Sequence, residues 1–147
     1  MAMGVLLVLA ATGIGAAVTV QAGMNAELAR WVGGPLRAVS LSFVVGTLAI
    51  LAITALFARS DAGTRPGSAP WWAWLGGLGG ALFVGAGTAL APRLGALNLF
   101  VAVIFGQLVC SALLDRFGVL FHRHDLTPGR LAGIVLVATG VVLVRIA

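Results

Sequence analysis

Five long apolar stretches, each cut off from the next by a few glycine, proline or arginine residues, restrict this chain to one kind of fold. About 20 apolar residues are what a helix needs to cross the hydrocarbon core of a bilayer. In that medium a segment must satisfy its own backbone hydrogen bonds, and an α-helix does so. The stretches therefore predict an all-α integral membrane protein. Its five transmembrane helices fall at about residues 3–28, 35–58, 71–91, 96–116 and 129–146, in a single domain over residues 1–147.

The charge content agrees. Only 9% of the 147 residues are charged, against roughly 25% in a soluble domain. That is too few to cover a water-facing surface, which excludes a soluble enzyme. The net charge of +5 comes from nine arginines and no lysine. A cluster of that sign would suggest nucleic acid, but these residues sit singly at the ends of apolar runs. There they anchor helix ends at lipid head groups, their stems lying along apolar surface. The lone Cys110, inside a run, is a small packing residue.

The first run holds the most informative stretch, Gln21-Ala22-Gly23-Met24-Asn25-Ala26-Glu27. Gln21 and Asn25 lie one helical turn apart, so both amides point the same way. Met1 to Val20 lacks the basic start of a signal peptide, which predicts a retained helix. Gly13, Gly15, Ala16 and Ala17 form a small-residue face for close helix approach. Glu27, near Arg30 at the end of the run, is expected in an interfacial salt bridge.

Gly33-Gly34-Pro35 ends the first helix and starts the second. In the second, Ser40, Thr47 and Thr54 recur every seven residues, and hydroxyls of this kind bond the previous turn of their own helix. Arg59 to Pro70 reads as a polar loop, and Trp71, Trp72 and Trp74 mark a membrane interface. Gly76, Gly80, Gly129 and Gly133 give the third and fifth helices close-packing spacing. Ala91-Pro92-Arg93-Leu94-Gly95 reads as a tight connection. The fourth helix carries Asn98, Gln107, Ser111 and Asp115, of which the last three share one face. His122-Arg123-His124-Asp125, in the loop from Phe117 to Pro128, lacks the three or four convergent ligands of a zinc site; no metal is expected there.

Five spans put the termini on opposite sides. The N-terminal side carries five arginines (Arg59, Arg65, Arg116, Arg123, Arg130), the other four (Arg30, Arg37, Arg93, Arg145). Orientation follows the excess of basic residues in cytoplasmic loops, and this near-tie favours insertion both ways over a weak preference, of one charge, for an inside N-terminus. Two opposed copies would form an antiparallel ten-helix homodimer with inverted-repeat architecture, the plan of secondary transporters.

The motifs Gln21-Ala-Gly-Met-Asn25, Gly34-Pro-Leu-Arg37, Ser42-Phe-Val-Val-Gly-Thr47, Ala91-Pro-Arg-Leu-Gly95, Gly106-Gln107 and Asp115-Arg-Phe-Gly118 together resemble the YdcZ-like family. These are five-helix, half-size members of the drug/metabolite transporter superfamily. The resemblance implies a multi-pass protein of the bacterial inner membrane that moves solutes without ATP or another cofactor. It also implies a dual-topology homodimer, or a heterodimer with an oppositely oriented homologue. The family's polar motif positions map onto Gln21, Asn25, Gln107 and Asp115.

The expected function is alternating-access transport of a small-molecule solute. Gln21, Asn25, Gln107 and Ser111 form the substrate-binding set, with Asp115 and Glu27 as coupling candidates. The alternatives are a dual-topology small-ion channel, which would need a continuous polar lining, and a non-transporting assembly subunit in which the amides merely tie helices together.

Overall fold

The computed structural model describes residues 2–57, 66–118, 120 and 122–147. The chain folds into α1 (Ala2–Val32), α2 (Pro35–Phe57), α3 (Gly76–Leu94), α4 (Ala96–Phe117) and α5 (Pro128–Ile146), with short 3-10 turns at Pro66–Ser68 and Trp71–Leu75. All five long helices are apolar and long enough to cross a membrane. The chain divides into two compact units, Met1–Pro92 and Arg93–Ala147. In the first, α1 packs along α2; in the second, α4 packs along α5.

The connections explain the hairpins. α1 runs four residues past the expected Leu28, to Val32, and ends where two glycines take conformations closed to most side chains. Gly33 has φ 83° and Gly34 φ 138°. The Gly34 N–H donates to the Ala29 carbonyl at 2.8 Å, the closing bond of a Schellman cap. Pro35 then opens α2, where its missing N–H costs nothing, and the Ala38 N–H donates to the Gly34 carbonyl at 3.2 Å.

The third helix departs from expectation at both ends. Trp71–Leu75 forms a 3-10 turn, and regular helix starts at Gly76. At the other end the helix continues through Pro92 to Leu94, so Ala91–Gly95 is not a five-residue link. Gly95, at φ 77°, is the whole connection to α4. Proline there leaves the Thr88 carbonyl without its helical donor, a loss one turn of a lipid-buried helix tolerates. The expected end of the second helix at Ala58, and Arg59 and Arg65 in the loop after it, lie outside the described residues.

α4 stops at Gly118, whose φ of 66° lets its N–H donate to the Leu114 carbonyl. Thr127 caps α5 by accepting from the Arg130 N–H, with Pro128 in the first turn. Hydroxyls inside the helices bond to their own previous turn, as with Thr12 to Val8, Thr19 to Gly15, Ser40 to Leu36 and Thr139 to Val135. The glycines of the small-residue faces have open space around them. Around Gly13, Gly15, Gly76, Gly80, Gly129 and Gly133 an added Cβ would meet no atom within 4 Å, so these faces stay open in the described chain.

The hairpin cap gives a stability prediction. A Cβ at Gly33 would sit 3.0 Å from Arg37 Nη1 in the left-handed region, so Gly33→Ala should cost about 1–2 kcal/mol. Gly23→Ala, in open space within α1, should be neutral or stabilising by up to ~1 kcal/mol. Thermal unfolding of both variants in detergent checks the contrast.

Candidate functional site

The first unit contains a groove of about 720 Å³ between α1 and α2. Ala17, Val20, Gln21, Met24, Asn25 and Leu28 line it from α1, and Leu41, Ser42 and Val45 from α2. The α1 residues recur at three- and four-residue spacing, which places them on one helix face. The lining has three polar side chains and no charged one.

Asn25 is the singular member. It is only 3% exposed, and its Nδ2 is buried with no hydrogen-bond partner among the described residues. A buried unsatisfied donor costs about 1–3 kcal/mol. Gln21, one turn earlier on α1, is exposed, and Ser42 is half-buried. Six residues of helix rise place Gln21 about 9 Å from the level of Glu27.

Glu27 stands outside this lining although it lies two residues from Asn25. Its Oε2 accepts from Arg30 Nη1 at 3.1 Å, as the sequence leads one to expect, and its Oε1 accepts from Trp31 Nε1 at 3.1 Å. The tryptophan bond was not legible in the sequence. Both partners sit in the last turn of α1, so the carboxylate is held at the polar end of the helix.

The second unit has its own groove, about 410 Å³ between α4 and α5. It brings Ser111 and Asp115 together with Arg130 and a wall of Leu108, Ile134 and Val137. Arg130 Nη1 lies 3.5 Å from Asp115 Oδ2 and also donates to the Asp125 carbonyl at 3.4 Å. The loop folds back on the same place, where the His124 N–H donates to the Asp115 carbonyl at 3.0 Å. Gln107 is exposed on α4 and does not line this groove. His124 Nδ1 bonds to the His122 carbonyl at 2.8 Å. Among the described residues no three His, Cys, Asp or Glu side chains gather.

Two residues beyond the sequence-derived set enter these grooves. Ser42 opens the motif Ser42-Phe-Val-Val-Gly-Thr47 but falls off the seven-residue hydroxyl stripe. Arg130 pairs with an acid fifteen positions earlier; the one available signal was that the end of α4 and the start of α5 must meet at the same side of the membrane.

Asn25 distinguishes a binding group from structural glue. If its amide tied helices together, Asn25→Leu would destabilise the protein. With its donor unpaired, the substitution should raise ligand-free stability by roughly 1–3 kcal/mol, a melting-temperature gain of a few degrees. Differential scanning fluorimetry of the solute-free protein checks the sign.

Compared with known proteins, residues 6–143 match the family model described as "Putative inner membrane exporter, YdcZ". No curated protein and no solved structure matches the chain significantly.

Proposed function

The chain belongs to the YdcZ family of inner-membrane exporters of the drug/metabolite transporter group, and on that premise we propose that it is a secondary transporter working by alternating access. The observation that carries this reading is the α1/α2 groove with its buried, unpartnered Asn25 amide. A polar atom is retained there at a cost in stability, which a bound solute offsets. On the first unit the proposed substrate contacts are Gln21 and Asn25, with Ser42 beside them; on the second they are Ser111 in its own groove and the exposed Gln107.

The functional unit is an antiparallel homodimer in which the whole chain, 1–147, acts as one transmembrane domain. Two features support it. Arginines are split five to four between the two sides, and such a small bias leaves orientation undetermined. Among the described residues an added Cβ at the face glycines of α1, α3 or α5 would meet no atom within 4 Å, and small-residue faces let helices of a second copy approach closely. Two inverted copies rocking about a shared axis then expose the groove alternately to each side.

Coupling falls to Asp115 on this reading. It lines the second groove and its partner Arg130 is half-exposed, so the pair can open when a cation or proton competes for the carboxylate. Glu27, engaged by Arg30 and Trp31 outside the first groove, is the lesser candidate.

Reporter enzymes fused to the C-terminus should be active on both sides of the membrane, and adding two lysines to one loop should fix a single orientation and reduce transport. A C-terminus found on one side only would refute dual insertion. Asp115→Asn should abolish flux driven by a proton gradient in proteoliposomes while Glu27→Gln retains most of it. Gradient-driven flux surviving both changes would refute coupling through these residues.

A further inference from the structure

The groove between α1 and α2 is chemically one-sided, and its composition says what kind of solute it takes. We infer that it selects neutral, apolar solutes carrying a carbonyl-type hydrogen-bond acceptor, and that Asn25 Nδ2 is the donor that reads the acceptor. The inference rests on the groove being the substrate site and adds to that reading the class of substrate.

Three observations converge. First, no lining residue is charged, and the nearest carboxylate, Glu27, is turned to Arg30 and Trp31. An ion entering this apolar cleft would lose its hydration with no opposite charge to replace it, a penalty of several kcal/mol. Second, the buried polar atom without a partner is a donor. A site with an unpaired donor gains most from a ligand that presents an acceptor, and little from one that presents another donor or none. Third, about 720 Å³ lies within the range of roughly 300–1,000 Å³ that holds drug-sized ligands. Val20, Met24, Leu41 and Val45 supply apolar walls, and methionine adapts its shape to different ring systems. The exposed Gln21 amide serves as a second, adjustable contact in the cleft. Selection thus works by one fixed hydrogen bond inside a permissive apolar cleft, with rejection of ions by desolvation.

The test uses benzophenone, a neutral apolar ketone that attaches to nearby C–H groups under ultraviolet light. The full chain in phosphatidylcholine vesicles is labelled, digested and mapped. Adducts should fall on α1 and α2 between residues 17 and 45. Fluorenone should suppress them, whereas fluorene, which has the same ring frame without the carbonyl, and the cation tetraphenylphosphonium should not. Asn25→Leu should weaken labelling roughly fivefold, the scale of one net hydrogen bond. The wild-type protein gives a second readout that is independent of any variant: the carbonyl stretch of bound ¹³C-benzophenone should lie below its value in protein-free vesicles.

Suppression by fluorene equal to that by fluorenone, stronger suppression by tetraphenylphosphonium, or adducts confined to other helices would overturn the inference. Labelling is read without flux, so the two readings fail separately. Ketone-selective labelling with no fluorenone flux would count against transport and leave the selectivity standing. Flux of a cation with no carbonyl preference would do the reverse.

Discussion

A bilayer interior offers a polar group no solvent partner, so every donor and acceptor in this chain has to be matched inside the protein or left at a cost of several kcal/mol. Almost everything in the fold follows from that constraint. The backbone closes on itself in five helices. Their ends are finished by glycines at positive φ and by the Thr127 cap, and intrahelical hydroxyls turn back onto the preceding turn. Two carboxylates obey the same rule: Glu27 is met by Arg30 and Trp31, and Asp115 by Arg130. Against that background Nδ2 of Asn25 is, among the described residues, a buried side-chain donor left unmatched, and it lies in a groove wide enough for a solute.

The pattern also explains how the site coexists with a stable helix pair. The α1/α2 hairpin is set by its Gly33-Gly34-Pro35 link. Stability lost at one buried amide is supplied elsewhere in the helices, the usual relation between a binding site and its scaffold. The paired acids make the complementary point. Their charge is taken up at helix ends, and the lining of the α1/α2 groove stays free of charged residues.

Much of this was legible in the sequence because lipid makes the code simple. Apolar length marked the five helices, and Gly33-Gly34-Pro35 marked the first turn. Gln21 and Asn25 share the groove that their spacing implied, and Ser111 and Asp115 share another. What the sequence concealed depends on tertiary neighbours or on local strain. A proline reads as a break, yet α3 runs through Pro92, because membrane helices absorb one missing bond. Trp71–Leu75 has helical composition but tightens into a 3-10 turn. The bond from Trp31 to Glu27 and the pairing of Arg130 with Asp115 required side-chain directions that spacing alone does not supply. Ser42 joined the groove only once α2 was seen to pack beside α1.

The side-chain amide of Asn25 reports most directly on whether a solute completes this protein's unfinished hydrogen bonding. Its ¹⁵N-labelled NH₂ resonance can be followed by solid-state NMR in lipid bilayers as fluorenone is added to saturation. If Asn25 is the recognition donor, that resonance moves downfield in proportion to occupancy while the indole signal of Trp31 stays in place. An Asn25 resonance unmoved at full occupancy would contradict its role.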